Sequence, residues 1–176
     1  MEPTKCQIYC MNSMSNGLAS DVHLSFTAHL KILLTRQLGP ARKRAIKHYA
    51  SRILDVVSRL SGKKREIAPL PVDDVLPLRA GDLVRVKSRE EIEATLDHFH
   101  DLKGLVFMSE MWQYCDTQQR VFKPLVRFVD ERELQVRKAR GIVLLEGLVC
   151  TGTGGFGPCD RSCFFFWREE WLEKIG

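Results

Sequence analysis

The sequence predicts an α+β protein. An N-terminal helical hairpin is followed by a small, bent antiparallel β-sheet or barrel, with an inserted helix and a cysteine-rich metal knuckle. Three observations lead there. Between about residues 25 and 60, apolar residues recur at steps of three and four, the spacing of a helix face. Beyond residue 79 the chain changes to short apolar runs separated by turn residues, the pattern of strands. Four of the six cysteines, Cys115, Cys150, Cys159 and Cys163, fall in that second half, three of them around a glycine-rich segment.

The chain has 176 residues, 44% hydrophobic and 28% charged. That suits one compact domain, or a small domain with an appendage, and excludes collagen, a disordered tail and a disulfide miniprotein. No apolar run approaches the roughly 20 residues that cross a bilayer. The N-terminus lacks a basic start followed by an apolar stretch, so no secretory signal is expected and the expected location is the cytoplasm. Residues 1–70 hold 12 Lys and Arg against 4 Asp and Glu, a net of +8, whereas residues 71–176 carry a net of −3. The basic half suits an anionic partner: nucleic acid, lipid or an acidic protein. A solvated helix face, or packing on the acidic half, accounts for the same charges.

Residues 1–20 are irregular and hold Cys6 and Cys10. A second metal site built on this pair is a weaker expectation, because chain termini are loosely held. Ser25 is a candidate N-cap for a first helix through about Leu38. Gly39-Pro40 ends it and opens a second helix, Pro40 to about Leu60. Ile46, Tyr49, Ala50, Ile53, Leu54, Val57 and Leu60 form its apolar stripe. Arg42, Lys43, Arg44 and Lys47 are candidate contacts for an anion or a partner. Residues 1–70 are read as a basic helical region and residues 71–78, rich in proline, as an extended linker. Residues 79–176 are read as a β-rich metal-binding domain.

In that domain Leu83–Lys87 alternates as a half-buried strand does. Ser88 and Glu91 fit a capping box for a helix over about Arg89–Phe99. Leu105–Phe107 reads as a short strand and Met108–Tyr114 as a helical turn. Arg120–Phe128 and Ile142–Val149 are β-rich. Residues 151–158 read as a loop, and Phe164–Ile175 as a short closing helix.

The cysteines carry the chemistry. In a cytosolic chain, clustered cysteines bind metal more often than they form disulfides. Cys150 ends an expected strand. The segment Thr151–Pro158 holds four glycines, so its backbone can wrap a small ion and donate amides to thiolate sulfur. Cys159 and Cys163 follow on a turn into an aromatic segment. Cys115 is the natural fourth ligand from the same half. Four thiolates close a tetrahedral zinc site, and the same set holds an iron–sulfur cluster as the alternative. Glu110, Trp112, Glu146 and Trp167 are candidates to surround the ligands. Buried, unrelated thiols are the competing reading.

Several stretches also carry a resemblance: Gly81-Asp82-Leu83-Val84-Arg85-Val86-Lys87, Gly104-Leu105-Val106-Phe107-Met108, Tyr114-Cys115 and Glu146-Gly147-Leu148-Val149-Cys150. With Cys159-Asp160-Arg161-Ser162-Cys163 and Phe166-Trp167-Arg168-Glu169-Glu170-Trp171-Leu172, they span roughly residues 79–175. This region resembles a family of small, uncharacterised bacterial proteins encoded among natural-product and polysaccharide biosynthesis genes. The resemblance implies a protein partner, a biosynthetic enzyme, and no particular reaction. Members often carry one more cysteine in the stretch corresponding to Val121–Glu133, and a histidine in the glycine-rich loop. This chain has neither.

No phosphate-binding Gly-x-x-x-x-Gly-Lys-Ser/Thr loop occurs, which excludes a P-loop NTPase. Gly152–Gly157 is followed by Pro-Cys instead of a βαβ helix, so it is no dinucleotide loop. His98 and His100 are expected to cap a helix C-terminus. The leading expectation is a zinc-stabilised, partner-binding accessory module. An iron–sulfur protein is the alternative, and a nucleic-acid binder using the basic helix is a further one.

Overall fold

The computed structural model describes residues 38–60, 77–131, 133–153 and 157–175, with Met14, Phe26, Thr27, Leu30 and Leu33. Cys6, Cys10 and the proline linker up to residue 76 lie outside the described residues. So does the expected first helix, apart from those last four positions, each helical, and Leu38.

Helix α1 spans Pro40–Leu60. Proline opens it because its fixed φ suits a first helical position. Arg42, Lys43, Arg44 and Lys47 all lie in its first two turns. The expected apolar stripe is not buried: Ile46, Tyr49, Ile53, Leu54, Val57 and Leu60 are all exposed, Ala50 is half-buried, and Val56 beside them is exposed as well. The helix meets the β-rich part through Lys47. This ammonium pairs with Asp101, the only buried charged residue among those described, and lies 5.2 Å from the centre of the Phe99 ring.

The β-rich part begins with β1 (Leu83–Val86), whose Val84 and Val86 are fully buried between more exposed neighbours. Helix α2 (Arg89–Glu93) follows, and its capping box forms as expected: the Ser88 hydroxyl accepts from Glu91 N–H, and the Glu91 carboxylate from Ser88 N–H. It is shorter than the apolar spacing suggested. Two short strands, β2 (Asp101–Leu102) and β3 (Leu105–Val106), lead to a 3₁₀ helix, Ser109–Tyr114. Then come β4 (Gln118–Pro124), β5 (Arg127–Asp130), β6 (Gln135–Lys138), β7 (Ile142–Leu145), β8 (Val149–Thr153) and β9 (Gly157–Phe164). Strand β10 (Trp167–Arg168), a 3₁₀ turn (Glu169–Trp171) and β11 (Leu172–Lys174) end the chain.

The main sheet is antiparallel, in the order β10-β7-β4-β1-β11. Its two edge strands are consecutive in the chain and are joined by three residues. Five flat strands would set their edges roughly 19 Å apart, whereas the link from Arg168 to Leu172 reaches at most about 15 Å. The sheet is therefore strongly bent, as expected. It is an open sheet and not a closed barrel, because β10 and β11 do not pair. The closing segment is β-strand and 3₁₀ turn, which corrects the expected helix over Phe164–Ile175. Most of the stretch read as a loop at 151–158 belongs to β8 and β9, which pair as a separate two-stranded ribbon.

Inside the bend, Trp167 and Trp171 are fully buried, and the Phe107 ring packs edge-on to both, at 5.9 and 5.0 Å. The Trp171 indole N–H donates to Thr95 Oγ1 at 3.2 Å, tying the turn to the segment after α2. Trp171→Ala is expected to cost about 3–5 kcal/mol by opening a cavity. Trp171→Phe, which mainly removes the hydrogen bond, is expected to cost about 1–2 kcal/mol. Urea midpoints compare the two; equal losses would mean that the indole N–H, not the packing volume, sets the contribution.

Candidate metal centre

The β8–β9 ribbon carries three of the four cysteines proposed from the sequence. Its register places Cys150 directly opposite Cys163 and Val149 opposite Phe164. Pairing resumes at Gly152–Pro158 and Thr153–Gly157, displaced. Cys159, Asp160, Arg161 and Ser162 thus stand opposite Thr151 alone. This wide bulge opens at Cys159 and closes at Cys163, with Ser162 in the left-handed region at φ 53°. The fold therefore gathers Cys150, Cys159 and Cys163 along one irregular ribbon.

Gly152 makes the bulge possible. Its φ is +126°, and a Cβ there would lie 2.2 Å from Gly157 O and 2.7 Å from Pro158 Cα. Within β8, Gly152 N–H donates to Cys150 Sγ at 3.4 Å. The Cys150 thiol donates in turn to Gly152 O at 3.4 Å. These two contacts fix the orientation of the Cys150 side chain.

A partner outside the ribbon holds its one arginine. The Arg161 guanidinium forks onto Glu131, with Nη1 2.7 Å from Oε2 and a second contact from Nη2 to Oε1. Glu131 holds Arg161 firmly protonated, and the nearby Cys163 and Cys159 sulfurs add to this. Arg161 in turn keeps the Glu131 carboxyl below its usual range. Both side chains are well exposed, so the pair adds little stability; its consequence is a fixed cation beside two exposed thiols.

Cys115 lies on another element, at the C-terminal cap of the first 3₁₀ helix, half-buried. Burial pushes its thiol up, and Asp116, Glu90 and Glu93 add to that while Arg89 opposes it. Its neighbours are thus charges on α2. The preceding residue, Tyr114, packs on Phe165 and Trp167 with ring centroids 6.2 Å apart in each case. Phe165 N–H bonds Leu148 O at 3.2 Å. The segment bearing Cys115 therefore abuts the base of the ribbon. Among the described residues, all four cysteines are free thiols, and no three His, Cys, Asp or Glu side chains are gathered as ligands of one ion.

The candidate surrounding residues scatter. Trp167 is in the core, and Glu146 is exposed on the turn after β7. Trp112 packs on Phe107 at 4.2 Å, with the Arg89 guanidinium 4.9 Å from its ring centre. Glu110 accepts from Ser109 Oγ at 3.0 Å and, with Trp112, His100 and Thr153, lines an open cavity of about 450 Å³. Because α2 stops at Glu93, His98 and His100 do not cap it, contrary to the sequence expectation. Sequence reasoning missed the Arg161–Glu131 pair, since 30 residues separate its members, and missed the cavity. The special role of Gly152 was visible only as one glycine among four.

The fold defines an α+β protein of open, mostly antiparallel sheets, with two exposed thiols, Cys159 and Cys163, on a two-stranded ribbon. No protein-family model, curated protein or solved structure matches the chain.

Gly152→Ala is expected to spread β8 from β9 and raise amide hydrogen exchange across residues 149–164, leaving β1 protected. Unchanged exchange would contradict the close approach described. In metal-free protein near neutral pH, iodoacetamide is expected to label exposed Cys159 and Cys163 before Cys115. Mass spectrometry of peptides reads the order. The neutral Cys115 thiol is the form that burial favours, so its contribution to stability is complete below the ordinary thiol pKa. It is lost as pH rises through the elevated folded value.

Proposed function

We propose that residues 79–175 form a thiolate metal-binding module that acts in the reducing cytoplasm, where thiols stay available. Cys150, Cys159 and Cys163 are its ribbon ligands and Cys115 the fourth. The observation that carries this reading is the pairing of Cys150 with Cys163 across a bulge that opens at Cys159. Two further features support it. The Gly152 amide already donates to a prospective ligand sulfur. Arg161, held on Glu131, sets a guanidinium beside Cys159 and Cys163.

The metal is zinc. A closed set of four thiolates leaves no open coordination position, so the ion holds structure together. It would pin the β8–β9 ribbon to the core through Cys115, a link that the main sheet does not supply. The module then serves as an accessory that docks on a protein partner, a biosynthetic enzyme by the resemblance of residues 79–175.

Elemental analysis and a visible spectrum of anaerobically purified protein test this. One zinc per chain and no colour are expected; strong visible absorbance with iron would assign the same ligands to an iron–sulfur cluster. Cys159→Ser and Cys163→Ser are each expected to release the metal and loosen the β8–β9 ribbon, lowering the melting temperature, while the main sheet stays folded. Full metal content with unchanged melting in both variants would overturn the reading.

A further inference from the structure

We propose that α1 is a membrane-surface helix whose occupant is an anionic phospholipid bilayer. The helix lies in the plane of the headgroups, with its apolar stripe at the acyl boundary. Six large apolar side chains, Ile46, Tyr49, Ile53, Val56, Val57 and Leu60, share one face and all stand in water, more than half exposed. The described helical positions Phe26, Leu30 and Leu33 are exposed as well. An apolar surface of this extent marks an interaction site.

Charge selects the occupant. Over Pro40–Leu60 the sequence has six basic residues and one acidic, Asp55, with no acidic residue in the first turn. At about 100° per residue, Arg52 falls beside the stripe, while Lys47, on the other flank, is taken up by Asp101. Nucleic acid would satisfy the cations but offers nothing to a continuous row of aliphatic side chains. A second copy would cover the row but would bring another net +5 against the first. A bilayer bearing anionic headgroups supplies both an apolar layer and negative charge at the same depth, and long basic side chains reach that charge from a buried stripe. No described helix is long and apolar enough to cross a membrane, so the contact is lateral.

The attachment of α1 to the domain leaves this face free. Lys47 meets Asp101 and Phe99 from one flank of the helix, roughly a third of a turn from the centre of the stripe. The helix is thus held by a polar edge while its apolar face points elsewhere. This assignment is independent of the metal reading.

The test is cosedimentation of the full chain, as purified, with vesicles of phosphatidylglycerol and phosphatidylcholine, or of phosphatidylcholine alone, at about 0.15 M salt. Preferential binding to the anionic vesicles is expected, weakened about tenfold or more in Ile53→Glu/Val57→Glu. Both positions are exposed, so circular dichroism should show the variant folded as the parent is. Arg52→Gln should weaken binding to a smaller degree. No binding to anionic vesicles, or binding that the double variant leaves intact, would overturn the proposal. So would sedimentation velocity showing a dimer that the same variant disperses, since the stripe would then be covered by a second copy. Tighter binding to duplex nucleic acid than to vesicles, unaffected by the double variant, would overturn it too.

Discussion

The three-residue link between the edge strands is the constraint from which the β-rich fold follows. Glu169–Trp171 connects β10 to β11, which lie at opposite ends of the sheet order. A link that short forces the sheet to curl, and the curl creates an interior narrow enough for a few large side chains to fill. Trp167, on β10, and Trp171, the last residue of the link, fill it together with Phe107. Hydrogen bonds then fix the link itself: Lys87 N–H to Trp171 O at 3.0 Å, Glu169 N–H to Gly141 O at 3.2 Å, and Leu78 N–H to Glu169 Oε1 at 3.1 Å. Packing and hydrogen bonding thus converge on the same few residues, which is what makes one bend better than its alternatives.

That economy has a consequence for the thiols. The strands that close the core, β1, β4, β7, β10 and β11, contain no cysteine. The β8–β9 ribbon lies outside the sheet, pairs only with itself, and has mostly exposed residues on β9. A two-stranded ribbon is marginal in water by itself. Its bulge, its exposed cysteines and its positive-φ Ser162 all weaken it further as a simple hairpin. A bound ion would offset these features together.

Where local chemistry decides the structure, the sequence is readable. Pro40 opens α1, Ser88 and Glu91 start α2, and the alternation over Leu83–Val86 marks the central strand; each of these rests on neighbours within four residues. Where distant parts decide, it is not. The spacing of Ile92, Leu96 and Phe99 suits a helix face, and Leu96 is indeed buried. Yet the Asp97 carboxylate accepts from Phe99 N–H at 2.7 Å and from Asp101 N–H at 3.0 Å, so a side-chain turn replaces the next helical turn. Phe164–Ile175 became strands because β7 and β1 pair with them, a tertiary effect that propensity does not contain. For the site, the cysteine spacing was legible but its meaning was not. Eight and then three residues between cysteines say nothing of a register that sets Cys150 against Cys163, nor of Cys115 sitting among the charges of α2.

The helix and the β-rich part meet on opposite terms. Asp101 is buried, and a buried carboxylate needs a partner. Lys47 supplies it across 54 residues, from the only described helix rich in cations. The pairing explains why the helix attaches by a charged flank: the domain offers α1 a carboxylate and the face of Phe99, not an apolar groove to receive Ile53 or Val57. A helix that docked through its stripe would have buried those residues and left Asp101 unpaired. The Lys47–Asp101 pair thus joins the basic half of the chain to the acidic half. The remaining basic charge on α1 lies beside an uncovered apolar row, and that combination is directed outward.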